Sequence, residues 1–336
     1  MRSWWRVAGS TRGWRPCRTG DKARAGADNG RVDFPVTDLT DALMVSYRRH
    51  GGINHVDGAN LPSRGTVVEI TTDLLRLLFP GFFDDRVVHS AELKAETALL
   101  LDSVAGRLED EICKSLGCFD CPDPALTDPR RAAHELTRGF LQRLPALREK
   151  LQTDVDAAFE GDPAARSREE IITAYPFIEA IAVQRAAHEL HESGVPLLPR
   201  MMTEWAHSRT GIDIHPGARI GSHFFIDHGT GTVIGETCVI GNRVKIFHGV
   251  TLGATSTSGG QALRGKKRHP SIEDNVTIYS GAVILGGETV IGSGSTIGGN
   301  VFLLQSVPPD SVVVNEELKT RVMPKRSRAA VLDFQI

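Results

Sequence analysis

Hydrophobic and polar positions fall into two textures along the chain, and they meet near Gly211. Before that point apolar residues recur at three- and four-residue steps, the spacing of amphipathic helices. LPSRGTVVEITTDLLRLLFPGFF opens on a Pro-Ser start signal and ends at Pro80-Gly81. AELKAETALLLDSVAGRLEDEICKSLG closes on Gly117. CFDCPDPALTDP reads as a linker, and DPRRAAHELTRGFLQRLPALREKLQTDVDAAF as helix with Pro145 forcing a kink or break. SREEIITAYPFIEAIAVQRAAHELHESG runs as one helix from a Ser167 cap, with Glu170 as its capping-box partner, to a stop at Gly194. PLLPRMMTEWAHSRTG adds a short last helix. The expectation is an all-α domain of five or six helices over residues 38–210.

After Gly211 branched apolar residues recur every six positions: Ile214, Ile220, Ile226, then Ile234, Ile240, Ile246 and Leu252. The series resumes at Ile272, Ile278 and Ile284, and, one residue out of step, at Ile291 and Ile297. A period of six is neither helix nor alternating strand; it is the spacing of a parallel β-helix, in which three hexads make one triangular coil. Successive coils stack at the inter-strand spacing of about 4.8 Å. The branched residue points inward and small residues turn the corners. The fold class is therefore α + β: a helical domain followed by a β-helix over 211–320 and a tail over 321–336. Two insertions interrupt the coil. DHGTGT adds two residues between Ile226 and Ile234, and ATSTSGGQALRGKKRH forms an arm over about 254–270. Loops on a rigid scaffold are where function tends to sit.

Composition narrows the setting. A net charge of -2 argues against a polyanion binder, so no nucleic-acid partner is expected, and no apolar run is long enough for a membrane span. Cys17, Cys113, Cys118, Cys121 and Cys238 are odd in number and lack framework spacing, which points to a reducing, cytoplasmic compartment. C-x4-C-x2-C over Cys113–Cys121 lacks a fourth ligand for zinc, so no metal is expected. Residues 1–37 are Arg-rich (Arg2, Arg6, Arg12, Arg15, Arg18, Lys22, Arg24) without a secretory apolar core, and read as a leader or disordered segment. GTGTVIG and GSGSTIG look like dinucleotide fingerprints but lack the strand–turn–helix context and belong to the hexads.

The hexads together with GDPAA, DIHPGARIG, IDHGTGTVIGET, GVTLGAT, the arm ending in RHP, and IGGNVFL resemble the serine O-acetyltransferases over about residues 160–322. The long helical region is similar to the longer-chain branch of that family. The resemblance implies a left-handed coil, an exception to the usual right-handed crossover, and a homotrimer or dimer of trimers. It also implies acetyl transfer from acetyl-CoA to the L-serine hydroxyl, giving O-acetylserine and CoA on the way to cysteine. No tightly bound cofactor is implied.

Carried over to matching positions, the resemblance makes His228 the general base and Asp213 the carboxylate that orients it. The chemistry agrees, because a serine hydroxyl needs a base near neutral pKa and the base needs a fixed tautomer. Arg268 and His269 would hold the substrate carboxylate, Asp162 and Asp227 its ammonium, and Glu236 would position Arg268. Read alone, Asp162 is a turn residue before Pro163 and Glu236 a surface acid. Oxyanion donors are expected among backbone N–H groups near Gly253. Acetyl-CoA would lie in the groove between coils of a trimer, against Ala254, Ser280 and Gly299, with Arg321, Lys266, Lys267, Lys325 and Arg326 near its phosphates. His248 stands where relatives commonly carry Gln, and the arm is longer than in compact bacterial forms. The terminal Ile336, with Asp333, resembles the tail by which some members bind O-acetylserine sulfhydrylase. Three other readings share these motifs: another hexapeptide-repeat acyltransferase, a γ-type carbonic anhydrase using His228, His248 and His269, and a scaffold without catalysis.

Overall fold

The structure is a computed structural model and describes residues 35–118 and 128–316. The described residues up to Asp57 form a unit of their own. It contains helix α1 (Val36–Arg49) and a 3-10 turn over Gly51–Ile53. Val36, Leu39, Leu43, Met44 and Tyr47 of α1 are exposed.

From Gly58 onward helices and coil belong to one compact unit, so the change of texture at Gly211 is a change of secondary structure and not a break between bodies. Among the described residues of this unit, seven helices precede the coil: α2 (Arg64–Leu78), α3 (Leu93–Cys118), α4 (Pro129–Gln142), α5 (Leu144–Gly161), α6 (Arg168–Ala174), α7 (Pro176–Glu192) and α8 (Leu198–Thr210). With α1 this makes eight where five or six were expected. Proline accounts for much of the difference. Pro145 opens α5, which splits the third segment outright. Pro176 opens α7 and holds Tyr175 extended (φ -87°, ψ 117°), so the segment read as one helix from Ser167 is two. Ser167 does cap α6 by accepting from Glu170 N–H at 3.2 Å. Glu170 reaches back to Arg166 N–H (2.7 Å) and not to the cap residue's own N–H, so the capping box is displaced by one residue. α8 stops at Gly211 in the left-handed region (φ 70°).

The chain then winds about five turns of a left-handed β-helix, its short strands stacked into three parallel sheets. The first sheet stacks β1 (Asp213–Ile214), β4 (Val233–Ile234), β7 (Thr251–Gly253), β10 (Val283–Leu285) and β13 (Phe302–Leu303). The second holds β2 (Arg219–Ile220), β5 (Val239–Ile240), β8 (Ser271–Ile272) and β11 (Val290–Ile291). The third holds β3 (Phe225–Asp227), β6 (Lys245–Phe247), β9 (Thr277–Ile278), β12 (Thr296–Ile297) and β14 (Val312–Val313). The period-six residues form the inner ladders. Ile214, Ile234, Leu252 and Ile284 lie in register on one face. Ile220, Ile240, Ile272 and Ile291 do so on the next. Ile226, Ile246, Ile278 and Ile297 line the third. All twelve are buried, which fills the prism without a separate layer.

α5 and α7 close the first coil through a buried ion pair. Arg185 donates to both Asp154 oxygens (2.7 and 2.8 Å) and to the carbonyls of Ile220 (3.0 Å) and Gly221 (2.7 Å). Asp154 also accepts from Phe224 N–H at 3.0 Å. Phe177 of α7 meets Phe224 and Phe225 edge-on beside it. This clasp sets the C-terminal end of α5, and hence Asp162, against the coil.

Candidate active site

Expected site residues gather at two different corners of the prism. The first lies between the third and first sheets, where DHGTGT is inserted after β3. Regular corners here carry one left-handed residue three places beyond the inward position: Gly249, Gly281 and Asn300. The insertion breaks this rule, with positive φ at His228 (61°), Gly229 (85°) and Gly231 (80°). Gly229 N–H reaches Asp227 O at 2.7 Å and closes a three-residue turn on His228. A non-glycine residue there is strained, and strain of this kind gathers at functional sites. The turn pushes the imidazole outward, 72% exposed, with Asp227 Oδ1 3.7 Å from Nδ1 and the His248 ring 5.7 Å away.

Two carboxylates face that imidazole. Asp227 has its second oxygen 3.5 Å from Lys245 Nζ. The same ammonium donates to Gly161 O (2.7 Å) and lies over the Phe225 and Phe247 rings. Asp162, the next residue after Gly161, accepts from Tyr175 Oη (2.5 Å) and Ala164 N–H (2.8 Å). The Tyr175 hydrogen bond, with that of Ala164, holds this carboxyl below its ordinary range, and the same bond pushes the phenol up to about 12. Asp162, Tyr175, Asp227 and His228 line a cavity of about 360 Å³.

The second corner lies between the first and second sheets, where GET follows β4 and the arm, with its 3-10 turn over Gly260–Leu263, returns to β8. Arg268 Nη2 donates to Glu236 Oε2. Burial opposes the Glu236 charge, but Arg268 overrides it and the carboxyl sits below its ordinary range. His269 is only 8% exposed; burial, aided by Arg268, pushes it down to about 4. His215 is pushed to about 4 by burial and then Arg200, and its Nδ1 accepts from Gly217 N–H at 3.0 Å, which keeps it in the fold as a turn acceptor. Lys267 Nζ donates to the carbonyls of Thr237 (2.8 Å), Pro270 (3.2 Å) and His269. His191, Glu236, Thr237 and Lys267 border a cavity of about 420 Å³.

The structure thus brings Asp162, Asp227 and His228 together at one corner and Glu236, Arg268 and His269 together at the other. It does not bring Asp213 to His228 by a hydrogen bond. Asp213 sits at the start of β1 with its carboxylate within 4.8 Å of Glu204 and His207 of α8, where it makes no side-chain hydrogen bond among the described residues. Those three side chains are the group among the described residues whose ligand atoms converge as a metal would require, but Arg200 already pairs with Glu204 at 2.5 Å. His228 and His248 share a corner that His269 does not, so the three histidines of the carbonic anhydrase reading do not converge within one chain. Ser280 and Gly299 stack at the His228 corner, where a Cβ on Gly299 would come within 3.2 Å of Ser280 O; Ala254 stands at the root of the arm. Cys113, Cys118 and Cys238 are free thiols, and burial pushes Cys238 up to about 12. Arg321, Lys325, Arg326, Asp333, Ile336, Cys17 and Cys121 lie outside the described residues. Sequence reasoning missed Lys245, Tyr175 and Thr237. Lys245 occupies an outward hexad position that looks like any solvated lysine, while Tyr175 was hidden in what read as continuous helix.

A left-handed coil of hexads with an imidazole and carboxylates at an inserted corner is the build of a hexapeptide-repeat acyltransferase. Comparison with known proteins makes this specific. The chain is 47% identical over 272 residues to the plasmid serine acetyltransferase of Synechococcus elongatus, covering 77% of this chain and 83% of that one. It is 49% identical over 164 residues to the serine acetyltransferase of Bacillus subtilis, covering 49% and 72%. Among solved structures, Entamoeba histolytica serine acetyltransferase 1 in complex with L-cysteine superposes with a TM-score of 0.64 at 37% identity, over 73% of this chain and 86% of that one. Isoform 3 from the same organism, in complex with cysteine, gives 0.66 at 32% identity over 85% and 94%. No family model matches the sequence. The chain belongs to the serine acetyltransferase family.

Proposed function

We propose that this chain is a serine O-acetyltransferase that uses acetyl-CoA and works as a cyclic trimer, making O-acetyl-L-serine for cysteine synthesis. The observation that carries the reading is the division of charge between the two corners. Asp162 and Asp227 suit the substrate ammonium, and Arg268 with neutral His269 suits its carboxylate. A whole face of the prism separates them within one chain. A corner-to-corner contact between copies brings the two halves together, and such a head-to-tail contact closes into a ring. The Entamoeba relatives were solved with cysteine, an amino acid that differs from serine only in its side-chain atom.

In the reaction His228 accepts the serine hydroxyl proton as that oxygen attacks the thioester carbonyl. The tetrahedral intermediate collapses, the C–S bond breaks, and the imidazolium returns the proton to the departing thiolate. Asp213 orients the ring once the exposed imidazole, which makes no hydrogen bond to the described residues, turns towards it, and the ring nitrogen that then faces away from Asp213 is the base. Acetyl-CoA runs along the His228 corner, where Ser280 and Gly299 let its pantetheine approach, with Ala254 facing it from a neighbouring arm. Purified protein should release CoA thiol from acetyl-CoA only when L-serine is present, and His228→Ala should lower kcat by about 10²–10⁴-fold with the fold intact. Release that ignores serine, or survives that substitution, refutes the assignment.

A further inference from the structure

Arg268 and His269 arrive at their corner on a long arm, so something must hold them to better than a hydrogen bond's tolerance. Glu236 steers the guanidinium; the imidazole has a different holder. Thr237 N–H donates to His269 Nδ1 at 3.1 Å. A backbone N–H can only donate, so Nδ1 must present its lone pair and the ring proton must sit on Nε2. Thr237 Oγ1 lies 2.9 Å from the same Nδ1 and accepts from the backbone N–H groups of Arg268 (3.0 Å) and His269 (3.1 Å). A hydroxyl has one proton and two lone pairs. With both lone pairs taken, its proton is left for Nδ1, whose single lone pair it shares with the Thr237 N–H, and Nε2–H is left without a partner among the described residues. The ring's other side rests on Gly235, where a Cβ would run into the imidazole.

We propose that Thr237 is a positioning residue for the serine site: its backbone N–H and hydroxyl together hold His269 as the tautomer that offers Nε2–H to the substrate carboxylate, and the hydroxyl fixes the ring's place by fastening the end of the arm through the Arg268 and His269 amides. This rests on the reading of Arg268 and His269 as the carboxylate-binding pair. Each residue of Gly235-Glu236-Thr237 then has its own role, as a flat seat, a partner for the guanidinium and a tautomer lock in turn. Serine in place of Thr237 keeps the hydroxyl, whereas valine keeps the shape and removes it.

Steady-state kinetics with purified trimer test the assignment, with circular dichroism and size-exclusion chromatography as checks on folding. Thr237→Val should raise KM for L-serine about tenfold or more, the usual range for a lost buried hydrogen bond, with KM for acetyl-CoA within about twofold. Thr237→Ser should restore the serine KM to within about threefold of wild type. Should the valine variant not fold, Thr237→Cys, whose thiol is a weak donor and acceptor, is read the same way. His269→Ala separates the two layers of the argument. A raised serine KM in His269→Ala with an unchanged one in Thr237→Val overturns the role of Thr237 alone. An unchanged serine KM in His269→Ala overturns the carboxylate site itself. A valine variant in which both substrates' KM values rise together also overturns the proposal, since that is the mark of general loosening.

Discussion

Replacing Arg185 by methionine should cost far more stability than its distance from the coil's core suggests. The guanidinium is 3% exposed and its partner Asp154 is fully buried. Four donated hydrogen bonds end on Asp154 and on the carbonyls of Ile220 and Gly221. Methionine fills most of the space but leaves a buried carboxylate with Phe224 N–H as its remaining hydrogen bond, and takes from Gly221 its guanidinium donor. Ile220 keeps Lys150 Nζ at 2.7 Å, so its loss is partial. Breaking one partner of a buried pair costs about 3–5 kcal/mol. With a urea slope of about 3 kcal/mol/M, the unfolding midpoint should fall by about 1–1.7 M. The double variant Arg185→Met, Asp154→Leu removes the stranded charge as well and should be more stable than Arg185→Met alone, because apolar replacement of a whole buried pair is often close to neutral. The assay is urea unfolding followed by circular dichroism, with all four proteins of the cycle in one buffer. A midpoint shift below about 0.3 M for the single variant, or a double variant no better than it, would show that the clasp is not what joins helices to coil.

Tyr175→Phe should move the acid limb of kcat/KM for serine to higher pH. It removes the hydrogen bond that favours ionised Asp162, so that carboxyl protonates earlier on acidification and loses the substrate ammonium; an unmoved limb would detach Tyr175 from the site. Stability should also respond to acid through His215 and His269. Both are held near 4 in the folded chain, against an ordinary value of about 6.5. Between those values the unfolded chain binds more protons, so stability is full above about pH 6.5 and falls as pH drops towards 4. A flat urea midpoint across that window contradicts the burial of these rings.

Most of the coil was legible because a period of six leaves one inward residue per hexad, and that residue must be branched and apolar. Hexads were legible from Ile214 to Ile297; Leu303 keeps the step of six but was passed over, and Val307, only four residues further on, breaks the spacing of the last turn, which Val313 closes. The helices were less legible. At Pro145 the break was visible, but at Pro176 the apolar pattern runs on from Ile171 and Ile172 to Phe177 and Ile178 and hides it. Asp227, His228, Arg268 and His269 stood out because they lie where insertions break the hexad rhythm, whereas Asp162 before the coil and Glu236 within a regular hexad were picked out only through the family resemblance. Lys245 and Thr237 did not, because each keeps the rhythm and acts only through residues that folding brings to it, Gly161 from α5 and His269 from the arm.

Charge at the two corners supplies the last step. At the His228 corner two carboxylates face one ammonium, Asp162 and Asp227 against Lys245, and the excess is negative. At the other, Arg268 and Lys267 outweigh Glu236 while the histidines stay neutral, and the excess is positive. Each corner is left with the charge opposite to one end of a zwitterionic amino acid, and neither alone can hold both ends. If the halves meet between copies, two variants impaired in different ways should repair each other when assayed at serine well below the raised KM of His269→Ala. His228→Ala lacks the proposed base and His269→Ala a proposed carboxylate ligand, but a mixed ring contains junctions where an intact His228 corner faces an intact His269 corner. Random mixing in equal amounts makes about one junction in four intact, since each side is wild type half the time, so co-expressed variants should regain about a quarter of wild-type activity. Mixing the separately purified rings without subunit exchange should regain none. If the site were complete within one chain, every site in the co-expressed pool would carry one of the two lesions, and activity would stay at the level of the separate variants.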